Sequence, residues 1–143
     1  MRPGSLGIVE EWLNAVNRAD GGRLEALTTE QVEIIGPRGA GVMDRGVLSR
    51  WLTRAGFSAT SMRWFCGGNG SVVVEQDAQW RDVATGTVQV RARVASRFLV
   101  TETGVARYVR HDDGLESALA AAGLTHRDEV TERQAPEGPA ARG

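Results

Sequence analysis

The stretch SVVVEQDAQWRDVATGTVQVRARVASRFLVTETGVARYVRH, Ser71 to His111, decides the fold, because it holds three strand-like segments separated only by short turns. In Ser71 to Arg81 the alternate residues Val72, Val74, Gln76, Ala78 and Trp80 are mostly apolar, while Glu75, Asp77, Gln79 and Arg81 are polar. That is the period-2 pattern of a half-buried strand. Thr87 to Val100 repeats it, with Val88, Val90, Ala92, Val94, Ser96 and Phe98 on one side and Gln89, Arg91, Arg93 and Arg97 on the other. Folding the two segments about Asp82 to Gly86 sets Asp77 opposite Arg91, Glu75 opposite Arg93 and Trp80 opposite Val88. One register thus predicts complementary charges in water and an apolar wall inside. Val105 to His111 reads as a last strand, whose alternation allows either Ala106, Tyr108 and Arg110 or Val105, Arg107, Val109 and His111 to face in.

Outward from this core, Leu6, Val9, Leu13 and Val16 recur at spacings of three and four, with Trp12 widening the stripe, which predicts an amphipathic helix ended by Gly21 and Gly22. A short helix over Arg23–Leu27 and a strand over Gln31–Ile35 follow, the strand stopped by Gly36 and Pro37. The glycine-rich run Gly36 to Gly41 lacks the third glycine of a dinucleotide fingerprint and has no lysine for a phosphate loop, so it reads as a flexible connector with Asp44 capping the next helix. Arg45 to Ala55 carries Val47, Leu48, Trp51, Leu52 and Ala55 toward the core, with Arg45, Ser49, Arg50 and Arg54 outward. A strand over Ala59–Cys66 leads into the central stretch. Beyond it, Asp113 and Glu116 form a capping-box pattern before a helix holding Leu115, Ala118 and Leu119, which Gly123 ends in a left-handed cap. Residues 1–126 form a single domain in this reading. From Arg127 the sequence is poor in apolar residues and contains Pro136, Gly138 and Pro139, which predicts a disordered tail over 127–143.

The composition removes whole reaction classes. All 17 basic residues are arginine, which excludes Schiff-base chemistry on lysine. Cys66 is the one cysteine, and with only His111 and His126 a multi-histidine metal site cannot be built within the chain, so no cofactor and no metal are expected. A net charge of -1 argues against a nucleic-acid partner. No apolar run approaches the ~20 residues of a membrane span and no signal-peptide pattern opens the sequence, so the expected setting is cytoplasmic, without a membrane partner.

The order helix, short helix, strand, helix, antiparallel strands and closing helix is an α+β layout, with helices covering one face of a curved sheet. The residues Val9–Asp20, Val32–Pro37, Leu48–Leu52, Val73–Trp80 and Ala106–Arg110 together resemble the nuclear transport factor 2-like superfamily, in its bacterial SnoaL-like branch. The likeness spans Ser5 to Leu124. It implies a cystatin-like cone whose curved antiparallel sheet and N-terminal helices enclose an apolar pocket for a small hydrophobic molecule, often in a homodimer. It leaves the chemistry open, since that fold hosts cyclases, isomerases, dehydratases, epoxide hydrolases and non-catalytic modules.

Carried over residue by residue, the resemblance places Trp12 where the ketosteroid isomerase relatives have an oxyanion-binding tyrosine. No carboxylate stands around Ile34 to Gly36, where their general base lies, and Ala95 or Ser96 stands in place of their second acid. The epoxide hydrolase relatives use a buried acid–arginine–acid cluster. Asp77, Arg91, Arg93 and Glu75 supply one only if the strands are inverted, which exposes the valines at roughly 1.5–3 kcal/mol each. The resemblance favours Tyr108 and Arg110 as the inward set of the last strand. The candidate site is therefore Tyr108 and Arg110 as groups acting on a substrate oxygen, with Trp12, Trp51, Gln76, Trp80, Ser96 and Phe98 as its binding wall. Two readings stay open: a cofactor-independent cyclase, isomerase or dehydratase on a carbonyl or polycyclic substrate, and a ligand-binding or dimerisation module without turnover. Arg110 also has Asp112 and Asp113 beside it as partners for a simple ion pair.

Overall fold

The apolar stripe of the first helix sets the inside of the molecule. In a computed structural model that describes residues 4–36, 39–54 and 56–130, helix α1 (Gly4–Asn17) buries Leu6, Val9, Trp12, Leu13, Ala15 and Val16 against the sheet. Helix α2 (Gly21–Ala26) starts two residues earlier than the apolar spacing suggests, because the Asp20 carboxylate accepts the Arg23 N–H at 3.1 Å and caps it. The remaining elements are β1 (Thr28–Gly36), β2 (Gly39–Asp44), α3 (Arg45–Arg54), β3 (Phe57–Cys66), β4 (Ser71–Arg81), β5 (Val88–Thr101), β6 (Gly104–His111) and α4 (Leu115–Ala122), with a 3-10 turn at His126–Asp128. They build one sheet in the order β2-β1-β6-β5-β4-β3, antiparallel except where β1 runs parallel to β6. Among the described residues no helix is long and apolar enough to cross a membrane, which says nothing of a barrel crossing by strands.

The valine-bearing side of the β4–β5 hairpin faces the helices, and the charged side faces water. Val72, Val74, Gln76, Ala78, Val94 and Phe98 are buried, while Asp77, Arg91 and Arg93 are exposed. The register is shifted by two from the expected one: Asp77 lies opposite Arg93, Gln79 opposite Arg91 and Trp80 opposite Val90. Two single-residue steps combine here. The turn closes with the Asp82 N–H on the Thr87 carbonyl at 2.8 Å, and a bulge between Trp80 and Arg81 leaves one residue of β5 unmatched. Either step alone would have turned every side chain to the other face; together they preserve the facing. Arg93 accordingly bonds Asp77 at 2.7 Å, and Arg91 donates to the Gln79 side-chain oxygen, Oε1, at 3.4 Å.

Four expectations need correction. Helices cover both faces rather than one: α4 packs on the back of the sheet against Phe65, Val73 and Ala95. Gly39–Asp44 is a strand paired with β1, not a loose connector, and Pro37 and Arg38 lie outside the described residues. Helix α4 starts at Gly114 with no side-chain cap, and Glu116 instead meets His126 at 2.7 Å, so the capping box is absent. Val90 is 53 % exposed, because β6 pairs with β5 only over Ala95–Thr101 and the outer half of β5 projects past it.

The chain also stays ordered past the expected boundary at 127. The Val130 N–H donates to the Trp64 carbonyl at 2.8 Å and Arg63 forms a two-point contact with Glu129. Residues 131–143, the rest of the expected tail, lie outside the described residues. Gly123 ends α4 with φ 73°, as its position suggested, and the Asp44 carboxylate accepts the Gly46 N–H at 2.9 Å at the start of α3.

Candidate ligand site on the helix-facing side of the sheet

Strand phase brings most of the expected residues to one face. Ser96 pairs with Val74 on one side and Arg110 on the other, and Phe98 pairs with Val72 and Tyr108. Gln76 lies opposite Val94, one alternation further along β4, and Trp80 two alternations beyond Gln76. Tyr108 and Arg110 therefore point toward the helices, and Arg107 and His111 to the back. The open choice for the last strand falls on the first set.

The centre of this face is filled rather than hollow. Trp12, Phe98 and Tyr108 form a three-ring cluster with centroids 5.3, 5.1 and 5.4 Å apart. The Trp12 indole N–H is not free to hold a ligand oxygen, since it donates to the Thr28 hydroxyl at 2.9 Å, which donates onward to the Leu24 carbonyl at 2.6 Å. Thr28, sixteen residues from Trp12, is the partner that sequence reasoning missed, and no local pattern marks it. Burial pushes the Tyr108 phenol up, opposed in part by the Arg110 cation and by Ser96 beside its hydroxyl. Its proton is held harder than an exposed tyrosine's, so proton transfer from Tyr108 near neutral pH is disfavoured.

Trp51 does not join the site. It is 50 % exposed, because the buried stripe of α3 is Gly46, Leu48, Ser49 and Leu52, not the arc through Val47 and Trp51. The Ser49 hydroxyl donates to the Gly21 carbonyl at 3.0 Å and so turns the helix by its contact with α2. Ala55, expected on the same inward arc, lies outside the described residues.

What remains chemically open on this face is small. Gln76 is fully buried; its side-chain oxygen accepts the Ser96 hydroxyl at 2.8 Å, and its Nε2 has no partner, the one such buried side-chain atom among the described residues. An unpaired buried donor costs about 1–3 kcal/mol. The Arg110 guanidinium stacks over the Trp80 ring at 5.1 Å and donates through Nε to Asp112 at 3.0 Å, so the expected ion pair is formed. Trp80 packs in turn on Phe57, 5.2 Å between centroids.

Two other features do not compete with this face. A groove of about 510 Å³ runs between α1 and β3, lined by Leu13, Asn14, Thr60, Ser61 and Met62 among others. The Asn17 amide at its end is spent on both backbone groups of Ala59, at 2.9 Å each, and no partnerless buried side-chain atom points into it. On the back of the sheet, Ser117 and Asp113 approach His111 at 3.4 and 3.7 Å. Both reach the same ring nitrogen, Nδ1, while Arg97 donates to Nε2 at 3.4 Å, so the imidazole cannot relay a proton from serine to aspartate.

This arrangement gives His111 a readable pH signature. Burial and the Arg97 cation lower its pKa, with Asp113 and Asp112 opposing. The folded value lies below the unfolded one, near 6.5, so the unfolded chain binds the proton more readily. Stability is therefore fully present above about pH 7 and falls as the pH drops through the window below 6.5. Urea midpoints measured from pH 8 to pH 5 are expected to decline more steeply for the native protein than for His111→Gln; parallel curves would contradict this environment.

The fold finds its relatives among solved structures. No family profile matches the chain, and no curated protein matches it in sequence. An NTF2-like protein of unknown function from Cytophaga hutchinsonii superposes with a TM-score of 0.66 at 14 % identity, covering 78 % of this chain and 91 % of that one. An epoxide hydrolase/cyclase-like enzyme of pyran ring formation in polyether salinomycin, SalBIII, gives 0.64 at 18 % identity, covering 87 % and 93 %. A hypothetical protein with a ketosteroid isomerase-like fold from Catenulispora acidiphila, in complex with trimethylamine, gives 0.62 at 19 % identity, covering 87 % and 96 %. The chain has the nuclear transport factor 2-like fold, an α+β arrangement of helices on a curved six-stranded sheet.

Proposed function

We propose that the protein binds a small, largely apolar molecule on the helix-facing side of its sheet, between the Trp12–Phe98–Tyr108 cluster and Trp80, and that it does so as a binding protein rather than as an acid–base enzyme. The observation that carries this reading is the unpaired Nε2 of Gln76, held without water contact among apolar side chains. Buried polar groups are ordinarily paired, and a donor kept unpaired is a place where a ligand acceptor fits. The bound trimethylamine of one structural neighbour supports small-molecule binding in this fold. The absence of any carboxylate among the inward residues Gln76, Ser96, Phe98 and Tyr108 favours binding over proton abstraction. The acid–arginine ladder needed for epoxide opening stands on the exposed face, away from these residues.

Gln76→Met tests the reading, since it keeps the volume and removes the unpaired donor together with the oxygen that accepts from Ser96. The free protein is expected to stay within about 1 kcal/mol of its parent in urea denaturation, because removing the orphan offsets the loss of the buried Ser96 bond. In a thermal-shift screen of small apolar carbonyl compounds, compounds that stabilise the parent are expected to lose that effect in the variant. A loss of more than about 3 kcal/mol in Gln76→Met, beyond what the Ser96 bond alone accounts for, would mean that the amide nitrogen is already satisfied, and the reading would lose its ground.

A further inference from the structure

The contact between Arg110 and Trp80 is long-range within the sheet, and its course is informative. Arg110 sits in the cross-strand row of Ser96 and Val74, whereas Trp80 lies six residues further along β4. The two same-face residues between Val74 and Trp80 are Gln76 and Ala78, both with no exposed surface. For the guanidinium to lie 5.1 Å from the Trp80 ring, the sheet must curl so that the arginine side chain spans this interval. Gln76 and its unpaired amide nitrogen thus lie in the interval that the stacked pair spans.

The groups left unpaired along this interval are donors. The Gln76 oxygen already accepts the Ser96 hydroxyl, whereas the N–H donors of Nε2 have no partner among the described residues. Arg110 uses Nε on Asp112, and its two terminal nitrogens make no hydrogen bond among the described residues. Both open groups only donate. A hydroxyl or an amide entering here would bring a donor of its own that must share acceptors already in use, the oxygens of Gln76 and Asp112. A carboxylate brings two acceptor oxygens and the charge that a guanidinium fork reads best. Asp112 already offers such a carboxylate to Arg110 from the rim, with its side chain 48 % exposed and therefore readily released to water.

We propose that the Arg110–Trp80 stack is a door over the Gln76 amide, and that the ligand of this site is a small molecule with an apolar body and a carboxylate that bonds Gln76 Nε2 and the Arg110 terminal nitrogens in place of Asp112. This rests on the binding reading above and adds the ligand class and the moving part. The site walls for the apolar body are Ala78, Val94 and Trp80.

Benzoate, with benzamide and acetophenone as probes of the same body, tests the proposal. In a titration of the 15N-labelled full chain, benzoate is expected to shift the Trp80 indole N–H resonance, assigned by its loss in Trp80→Phe, and to bind at least tenfold more tightly than either neutral probe. Arg110→Met and Gln76→Met should each weaken benzoate at least tenfold. Asp112→Asn, a rim change that leaves the buried residues alone, should strengthen it several-fold by removing the competing carboxylate. Equal binding of acetophenone and benzoate, abolished in both cases by Gln76→Met, would overturn the ligand class and leave the binding site standing. Weaker benzoate binding in Asp112→Asn would overturn the exchange of carboxylates. Resonances around Gln76 and Trp80 that move with none of the probes would overturn the site and the door together.

Discussion

Trp12→Ala is expected to lower the unfolding free energy by about 3–5 kcal/mol, a large share of the 5–15 kcal/mol that ordinary domains possess. Trp12 is 1 % exposed and touches both other rings of the central cluster, so its removal empties the space on which α1, β5 and β6 converge. The same change strips the Thr28 hydroxyl of its buried donor, although Thr28 keeps its own bond to the Leu24 carbonyl. Trp12→Phe separates the two contributions: it keeps a ring and loses the indole N–H, and should cost about 1–3 kcal/mol. Urea titrations at neutral pH give both values. A loss below about 1 kcal/mol for Trp12→Ala would mean that the aromatic cluster is not the keystone of the packing.

That cluster also marks how far the sequence could be read. The facing of β4 and β5 follows from period 2, and it survived a register error because the error was of two residues, whereas the alternation of β6 fits either facing and only the family resemblance favoured one. Gln76, Ser96 and Phe98 were gathered on one face by phase alone, and Tyr108 joined them through the resemblance. The closures of the site were not legible, because Trp12–Thr28 and Arg110–Trp80 depend on how a helix docks and how a sheet curls, neither of which leaves a local pattern. In α3, Val47–Trp51 and Leu48–Leu52 offer two apolar rows at the same spacing, and the choice between them was made by Ser49 on the Gly21 carbonyl. Strand β2 begins Gly39-Ala40-Gly41, without a β-former, and exists through its pairing with β1. The second layer of helix was signalled and missed: Val72-Val73-Val74 is an unbroken apolar run, which indicates a strand covered on both faces, and Val73 is indeed met by α4.

Gly70→Ala is expected to destabilise the protein by about 3 kcal/mol, whereas Gly68→Ala two residues earlier in the same turn should be neutral to within about 0.5 kcal/mol. Gly70 has φ +88°, a backbone region that side chains rarely enter, and a Cβ built on it would stand 2.3 Å from the Val100 carbonyl oxygen. That oxygen belongs to a backbone that cannot swing aside cheaply, because the Val100 N–H is itself bonded to the Gly70 carbonyl at 2.9 Å. An alanine must therefore pay in conformational strain and break this bond, at roughly 1–3 and 1 kcal/mol respectively. Gly68 has nothing within 4 Å of its would-be Cβ, so the turn supplies its own control. The consequence reaches the site, since Val100 is two residues from Phe98 and a shift there moves the end of β5 against β4, where Val72 and Phe98 pair. Equal stability of the two variants in urea would mean that the turn relaxes without disturbing β5, and that the close approach of the two backbones at Gly70 and Val100 is not what fixes the aromatic cluster in place.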